Sequence, residues 1–163
     1  MTIIAVDPSV SGSGVCVLKD GKVVDLAMMK TWELYEFLEN AHYDIYDSNI
    51  VLVRKKLESR PIILVENSNL ISANWHGATG RANVGKNQAI SQEIVDFAKA
   101  KKMNVVELKP DGYSKTYPNE AYFKADTKWK GKSNKDTRAA AAMCIRYWKS
   151  EYYRNETRQK EDI

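Results

Sequence analysis

Two short apolar runs constrain this chain more than anything else in it. Ile3-Ile4-Ala5-Val6 and Ile62-Ile63-Leu64-Val65 each end on a carboxylate, Asp7 and Glu66. A continuous apolar run without alternation reads as a strand buried on both faces. A stretch of helical pattern stands between the early strands and the second run, so a parallel crossover is the natural connection. Neighbouring strands lie about 4.8 Å apart, which sets Asp7 and Glu66 side by side at one end of the sheet. Two carboxylates that close repel strongly unless something charged meets them, and a divalent cation would. Asp7 taken alone has a plainer reading, because Asp before Pro and Gly is ordinary turn chemistry.

The other elements follow from turn and cap signals. Ser and Gly between residues 9 and 14 fold the first run back onto Val15-Cys16-Val17-Leu18, and Asp20-Gly21 marks a second tight turn. Residues 1–29 therefore read as a three-stranded meander. Thr31 is expected to cap a helix with Leu34, Phe37 and Leu38 inside. Residues 42–47 read as a loop or broken helix. Ser48 is expected to cap a second helix with Val51, Leu52, Val53 and Leu57 inside, stopped by Pro61. The long, glycine-punctuated segment from Asn67 to Asn87 reads as a functional loop. A helix over Ala89–Lys102, with Ile90, Ile94, Val95 and Ala98 inward, and a fifth strand over Asn104–Leu108 come next. Residues 111–133, with weak periodicity and five lysines, read as a mobile basic loop. Ser133 or Asn134 caps a long last helix, whose run Ala139–Ala142 lets it lie close to the sheet. Residues 1–150 form one domain in this reading, and 151–163 a charged, frayed tail.

Charge is unevenly spread. Residues 1–108 carry 12 basic and 13 acidic side chains, whereas residues 109–163 carry 13 and 8. Tyr113, Tyr117, Tyr122, Phe123, Trp129, Tyr147 and Trp148 are interleaved with that positive charge. A basic, aromatic-rich end points to a polyanion partner, though a solvated helical face would look similar. No apolar run reaches membrane-spanning length, and no secretory signal is expected at an N-terminus that enters a strand directly. Cys16 and Cys144 read as buried free thiols in a reducing, cytoplasmic setting. His42 and His76 lack partners at zinc-ligand spacing.

The order β-β-β-α-β-α-β-α, with acids ending the first and fourth strands, resembles the RNase H-like fold: α/β, a five-stranded mixed sheet of three antiparallel then two parallel strands, flanked by helices. Within it, IIAVDPSVSGSGV, IILVENSN, NVGKNQA, VVELKP and SNKDTRAAAAMC are similar to RuvC-type Holliday junction resolvases, especially small phage-encoded ones. The matching stretches span about residues 3–144. The resemblance implies catalytic and metal-ligating roles for Asp7, Glu66 and, on the last helix, Asp136. It also implies a homodimer that cuts a four-way DNA junction symmetrically, in a bacterial or phage setting. The family carries two ligands one turn apart on the last helix. Here Ala139 stands where the second would fall, or Ser133 stands in the first place if Asp136 is the second. Water or another residue, such as Asp126, is left to fill the gap.

The chemistry suits those residues. Phosphodiester hydrolysis needs an activated water and stabilised charge, and two Mg²⁺ ions roughly 4 Å apart supply both; Mn²⁺ is an expected substitute. Asp7 would bridge, Glu66 would serve the water side and Asp136 the leaving-group side. Lys132, Lys135 and Arg138 are candidate phosphate clamps. Trp75, on the loop after strand four, is a candidate for stacking on an unpaired base at the junction centre, or else packs under its own loop. Lys86 and Asn87 are candidate backbone contacts at the start of the following helix. Three other readings stay open. They are an RNase H-like nuclease on RNA or another DNA structure, a non-catalytic junction-binding protein, and, from Asp-x-x-x-Ser-Gly-x-Gly, a phosphate loop like that of actin-like sugar kinases, for which the chain is short.

Overall fold

The two acid-ended runs lie next to each other. A computed structural model describes the backbone of every residue except 49–50, 57–59, 72–77 and 162–163, and the side chains except at 42–59, 72–84 and 156–163. In chain order the elements are β1 (Thr2–Asp7), β2 (Ser13–Lys19), β3 (Lys22–Met29), α1 (Thr31–His42), β4 (Tyr43–Ser48), β5 (Val51–Lys56), β6 (Ile62–Glu66), α2 (Ala78–Ala100), β7 (Asn104–Leu108), α3 (Tyr113–Thr116), α4 (Glu120–Thr127) and α5 (Lys135–Glu161). Five strands form one sheet in the order β3-β2-β1-β6-β7. β1 and β2, and β2 and β3, are antiparallel; β1 and β6, and β6 and β7, are parallel. The fold is therefore α/β with three antiparallel then two parallel strands, flanked by helices.

Alternation along the strands sends their side chains into two separate cores. Ile3, Ala5, Cys16, Leu18 and Leu64 pack with Ala139–Cys144 of α5 and with Tyr113, Tyr117 and Phe123. Ile4, Val6, Val15, Ile63 and Val65 pack with Leu34 and Leu38 of α1 and with Ile94, Val95 and Ala98 of α2. Burying each of the large aliphatic side chains contributes about 2 kcal/mol. The alanine run keeps α5 close to β1 and β2, and the Cys144 thiol lies 3.6 Å from the Cys16 carbonyl oxygen. Among the described residues no helix is long and apolar enough to cross a membrane.

Four expectations are corrected. First, the helix expected from Ser48 is absent; residues 43–48 and 51–56 pair as an antiparallel hairpin instead, Ser48 opposite Val51 and Tyr43 opposite Lys56. An apolar run such as Val51-Leu52-Val53 has no helical period of its own, and Ile, Val and Tyr at this density favour a strand; Leu57 lies outside the described residues. Second, α2 begins at Ala78 rather than after Asn87 and runs through Gly80 and Gly85, each costing about 1 kcal/mol relative to Ala. Third, residues 111–133 contain α3 and α4 rather than a mobile loop. The Asn119 side chain caps α4 by accepting from the Tyr122 N–H at 2.8 Å, and Tyr117 and Phe123 meet edge to face at 5.0 Å. Finally, α5 stays helical to Glu161, through the stretch expected to fray. A smaller difference is that Lys30 precedes α1 as its cap, with Glu33 accepting from the Lys30 N–H at 2.7 Å, and Thr31 is the first helical residue.

Candidate active site

The site stands at the carboxyl end of β1, and the strand register builds it. Val6 pairs with Val65, so one step further Asp7 and Glu66 end adjacent parallel strands. Both continue the face that carries Ile3, Ala5 and Leu64, the face covered by α5. On the other side of β1, Asp7 pairs with Gly14 of β2. The start of α5 rests directly on that glycine: a Cβ at Gly14 would stand 2.5 Å from the Asp136 carbonyl oxygen and 2.8 Å from the Thr137 nitrogen. Asp7 is thus flanked by Glu66 from β6 and by Asp136 seated over β2.

The first turn of α5 is fixed by a reciprocal cap. Asn134 Oδ1 accepts from the Thr137 N–H at 2.9 Å, and Thr137 Oγ1 accepts from the Asn134 N–H at 3.0 Å. Asp136 lies in that first turn, where the helix dipole favours a carboxylate. Glu66 is anchored through its neighbour. The buried Asn67 side chain donates to Glu107 at 2.7 Å and accepts from the Asn69 N–H at 3.0 Å, while the Asn67 N–H donates to the Leu108 carbonyl at 2.8 Å.

Asp7, Glu66 and Asp136 line one cleft of about 260 Å³, together with Pro110, Gly112, Tyr113, Ser114, Lys135 and Ala139. Burial pushes the Asp7 carboxyl up to about 7, reinforced by the negative charge of Glu66 and Asp136 and opposed by Lys135. Burial also raises Glu66. Asp7 thus feels the charge of both other carboxylates, yet among the described residues no three His, Cys, Asp or Glu side chains are gathered closely enough to make a ready metal cage. α5 brings three side chains to the cleft, the ammonium of Lys135, one carboxylate, Asp136, and one methyl, Ala139.

The other sequence candidates divide. Lys135 lines the cleft; Lys132 is exposed on the approach to α5. Arg138 does not line it: its guanidinium donates to the Tyr117 carbonyl at 3.1 Å and to the Ser133 carbonyl at 3.3 Å, pinning the turn between α3 and α4 to the start of α5. Asp126 is not the missing ligand. It accepts from the Tyr117 hydroxyl at 2.7 Å and lines a separate cavity near Gly21 and Trp148. Ser133 is likewise taken up by Arg138. Lys86 and Asn87 lie inside α2, nine and ten residues into the helix, so neither stands at free helix-start N–H groups as expected. Trp75 lies outside the described residues.

Sequence reasoning missed Gly14 and the Tyr113–Ser114 pair. Gly14 was legible only as a turn residue, and its role depends on a helix 120 residues away in the chain. The chain matches no protein-family model and no curated protein.

Proposed function

We propose that this protein is a metal-dependent endonuclease that hydrolyses phosphodiester bonds in branched DNA, with the four-way junction as substrate. The observation that supports it is the convergence of Asp7, Glu66 and Asp136, from three distant segments, on one cleft. Burial first, and the charges of Glu66 and Asp136 second, raise the Asp7 carboxyl to about 7; a cation would offset both costs. Without a ready cage the donor set fits an ion that keeps several of its own waters and needs few carboxylates, which describes Mg²⁺, with Mn²⁺ as a substitute. When bound, one or two such ions supply Lewis acidity and a nucleophile at neutral pH.

The chain's own residues have distinct tasks in this reading. Asp7, flanked on both sides, would hold the ion together with Glu66 and Asp136, and the ion would supply the activated water and the charge stabilisation that hydrolysis needs. Lys135 offers positive charge to the entering phosphate, and exposed Lys132 extends it along the rim. A homodimer would present two such clefts to a two-fold junction. The buried free thiols Cys16 and Cys144 suit a reducing compartment such as the cytoplasm.

A second reading, a junction-binding protein without catalysis, is favoured by Ala139 in the cleft and by the open acid cluster. Labelled four-way junction, linear duplex, nicked flap and RNA–DNA hybrid, each incubated with the protein and Mg²⁺, separate the two. Junction cleavage that disappears in Asp7→Asn while binding persists supports the nuclease. Binding without cleavage in Mg²⁺ or Mn²⁺ supports the binder, and preferential cutting of the hybrid moves the activity to RNA.

A further inference from the structure

The cleft holds a group that the metal chemistry does not use. Tyr113 lines it beside Glu66 and Asp136, its residue only 9% exposed. Its ring is clamped. The Arg146 guanidinium lies 4.9 Å from the ring centroid, and that guanidinium donates to the Asp111 carbonyl at 3.0 Å and to Thr116 Oγ1 at 2.7 Å. The chain on either side of Tyr113 is thereby tied to α5, and Arg146 covers the ring. Among the described residues the Tyr113 hydroxyl has no hydrogen-bond partner, which leaves it available to a group that enters the cleft.

A phosphate entering this cleft meets three carboxylates and one ammonium, Lys135. A neutral donor is the kind of group that holds a phosphoryl oxygen there without adding repulsion. We propose that the Tyr113 hydroxyl donates a hydrogen bond to a non-bridging oxygen of the phosphate being cleaved, as a substrate-contacting residue, with Arg146 as the residue that positions it. This assignment rests on the nuclease reading above and deepens it. The hydroxyl keeps its proton: burial, with Asp111 and Glu66 close by, raises it above the ordinary tyrosine range despite Arg146. Preorganised donors aimed at developing charge lower the barrier more than they tighten ground-state binding.

The test compares wild type, Tyr113→Phe and Arg146→Lys as full chains cutting a labelled four-way junction in Mg²⁺, with junction affinity and melting temperature measured alongside. Tyr113→Phe keeps the ring and its stacking on Arg146 and removes one oxygen. Its kcat is expected to fall about 100-fold, with KM, junction affinity and melting temperature held. Arg146→Lys, which keeps the hydroxyl and loosens its seat, is expected to lose about 10-fold in kcat by the same measure. Wild-type kcat in Tyr113→Phe overturns the assignment and leaves the nuclease reading standing. A loss that tracks a fall in melting temperature or in affinity also overturns it, as a packing effect. Should Tyr113→Phe not fold, unchanged kcat in Arg146→Lys overturns it as well. A wild-type protein that cuts none of the substrates overturns both readings together.

Discussion

The two ends of the central strands treat an aspartate in opposite ways. At the far end, Asp20 in the turn between β2 and β3 is exposed and paired with the Met1 ammonium, which holds its carboxyl below the usual range. At the near end, Asp7 is partly buried beside two other acids, and its carboxyl is pushed up to about 7. Glycines differ in the same way. At Gly21 the indole of Trp148 covers the turn, a flat side chain that can shift; at Gly14 the backbone of Asp136 itself sits on the strand. One end pairs its exposed carboxylate with an ammonium. The other accepts electrostatic cost to hold negative charge in a cleft, which is what a cation-requiring site would demand.

Substitutions at the two aspartates test that contrast most sharply. Asp7→Asn is expected to reduce Mg²⁺-dependent junction cleavage by at least about a thousandfold, read as initial rate under excess enzyme, while Asp20→Asn leaves the rate unchanged. A cleaving Asp7→Asn protein would erase the distinction between the two ends.

Proton linkage gives the next largest effect. The Asp7 carboxyl binds its proton more tightly folded, at about 7, than unfolded, near 3.8. Between those values the native state holds the extra proton, so stability is greatest below about pH 4 from this group and falls as pH rises to 7. The fall is at most about 4 kcal/mol, measured by denaturant unfolding in a chelator at a series of pH values. Asp7→Asn should flatten this slope, and added Mg²⁺ should stabilise the wild type more at pH 8 than at pH 5. A slope that survives in Asp7→Asn would assign it to other groups.

Smaller effects come from the glycines. Gly14→Ala forces a methyl against α5 backbone and is expected to cost about 3 kcal/mol, with loss of cleavage because Asp136 moves. Gly21→Ala, at φ +78° and facing a movable ring, is expected to cost about 1–2 kcal/mol and to spare cleavage. Equal losses of activity in the two would make Gly14 a mere packing position. The smallest effect is that of Asp20→Asn on melting temperature, where an exposed pair contributes little and no measurable shift is expected.

Much of this site could be read from the chain because its parts have strong local signatures. Four-residue apolar runs ended by Asp7 and Glu66 fix strand, register and face together, and the run Ala139–Ala142 marks a helix that must approach the sheet closely. Where local signals compete, the reading failed. Val51-Leu52-Val53 is a short apolar run that cannot be assigned to helix or strand by period, and pairing with residues 43–48 decides. Gly80 and Gly85 concealed the first turns of α2. Helices as short as α3 and α4 have too few turns to show a period, so Tyr113 was seen only as one aromatic among basic residues. Arg138 reads as a candidate phosphate clamp in sequence because its partners, carbonyl oxygens of Tyr117 and Ser133, leave no trace in composition.

The seating of α5 on Gly14 has a consequence for how this architecture could change over time. Carboxylates at 7, 66 and 136 line a cleft, where another polar side chain could take the place of each without displacing a helix. Position 14 has no such latitude, since every side chain other than hydrogen occupies space already filled by peptide. A descendant could lose those acids, yet would still have to retain the hydrogen atom on which its longest helix stands.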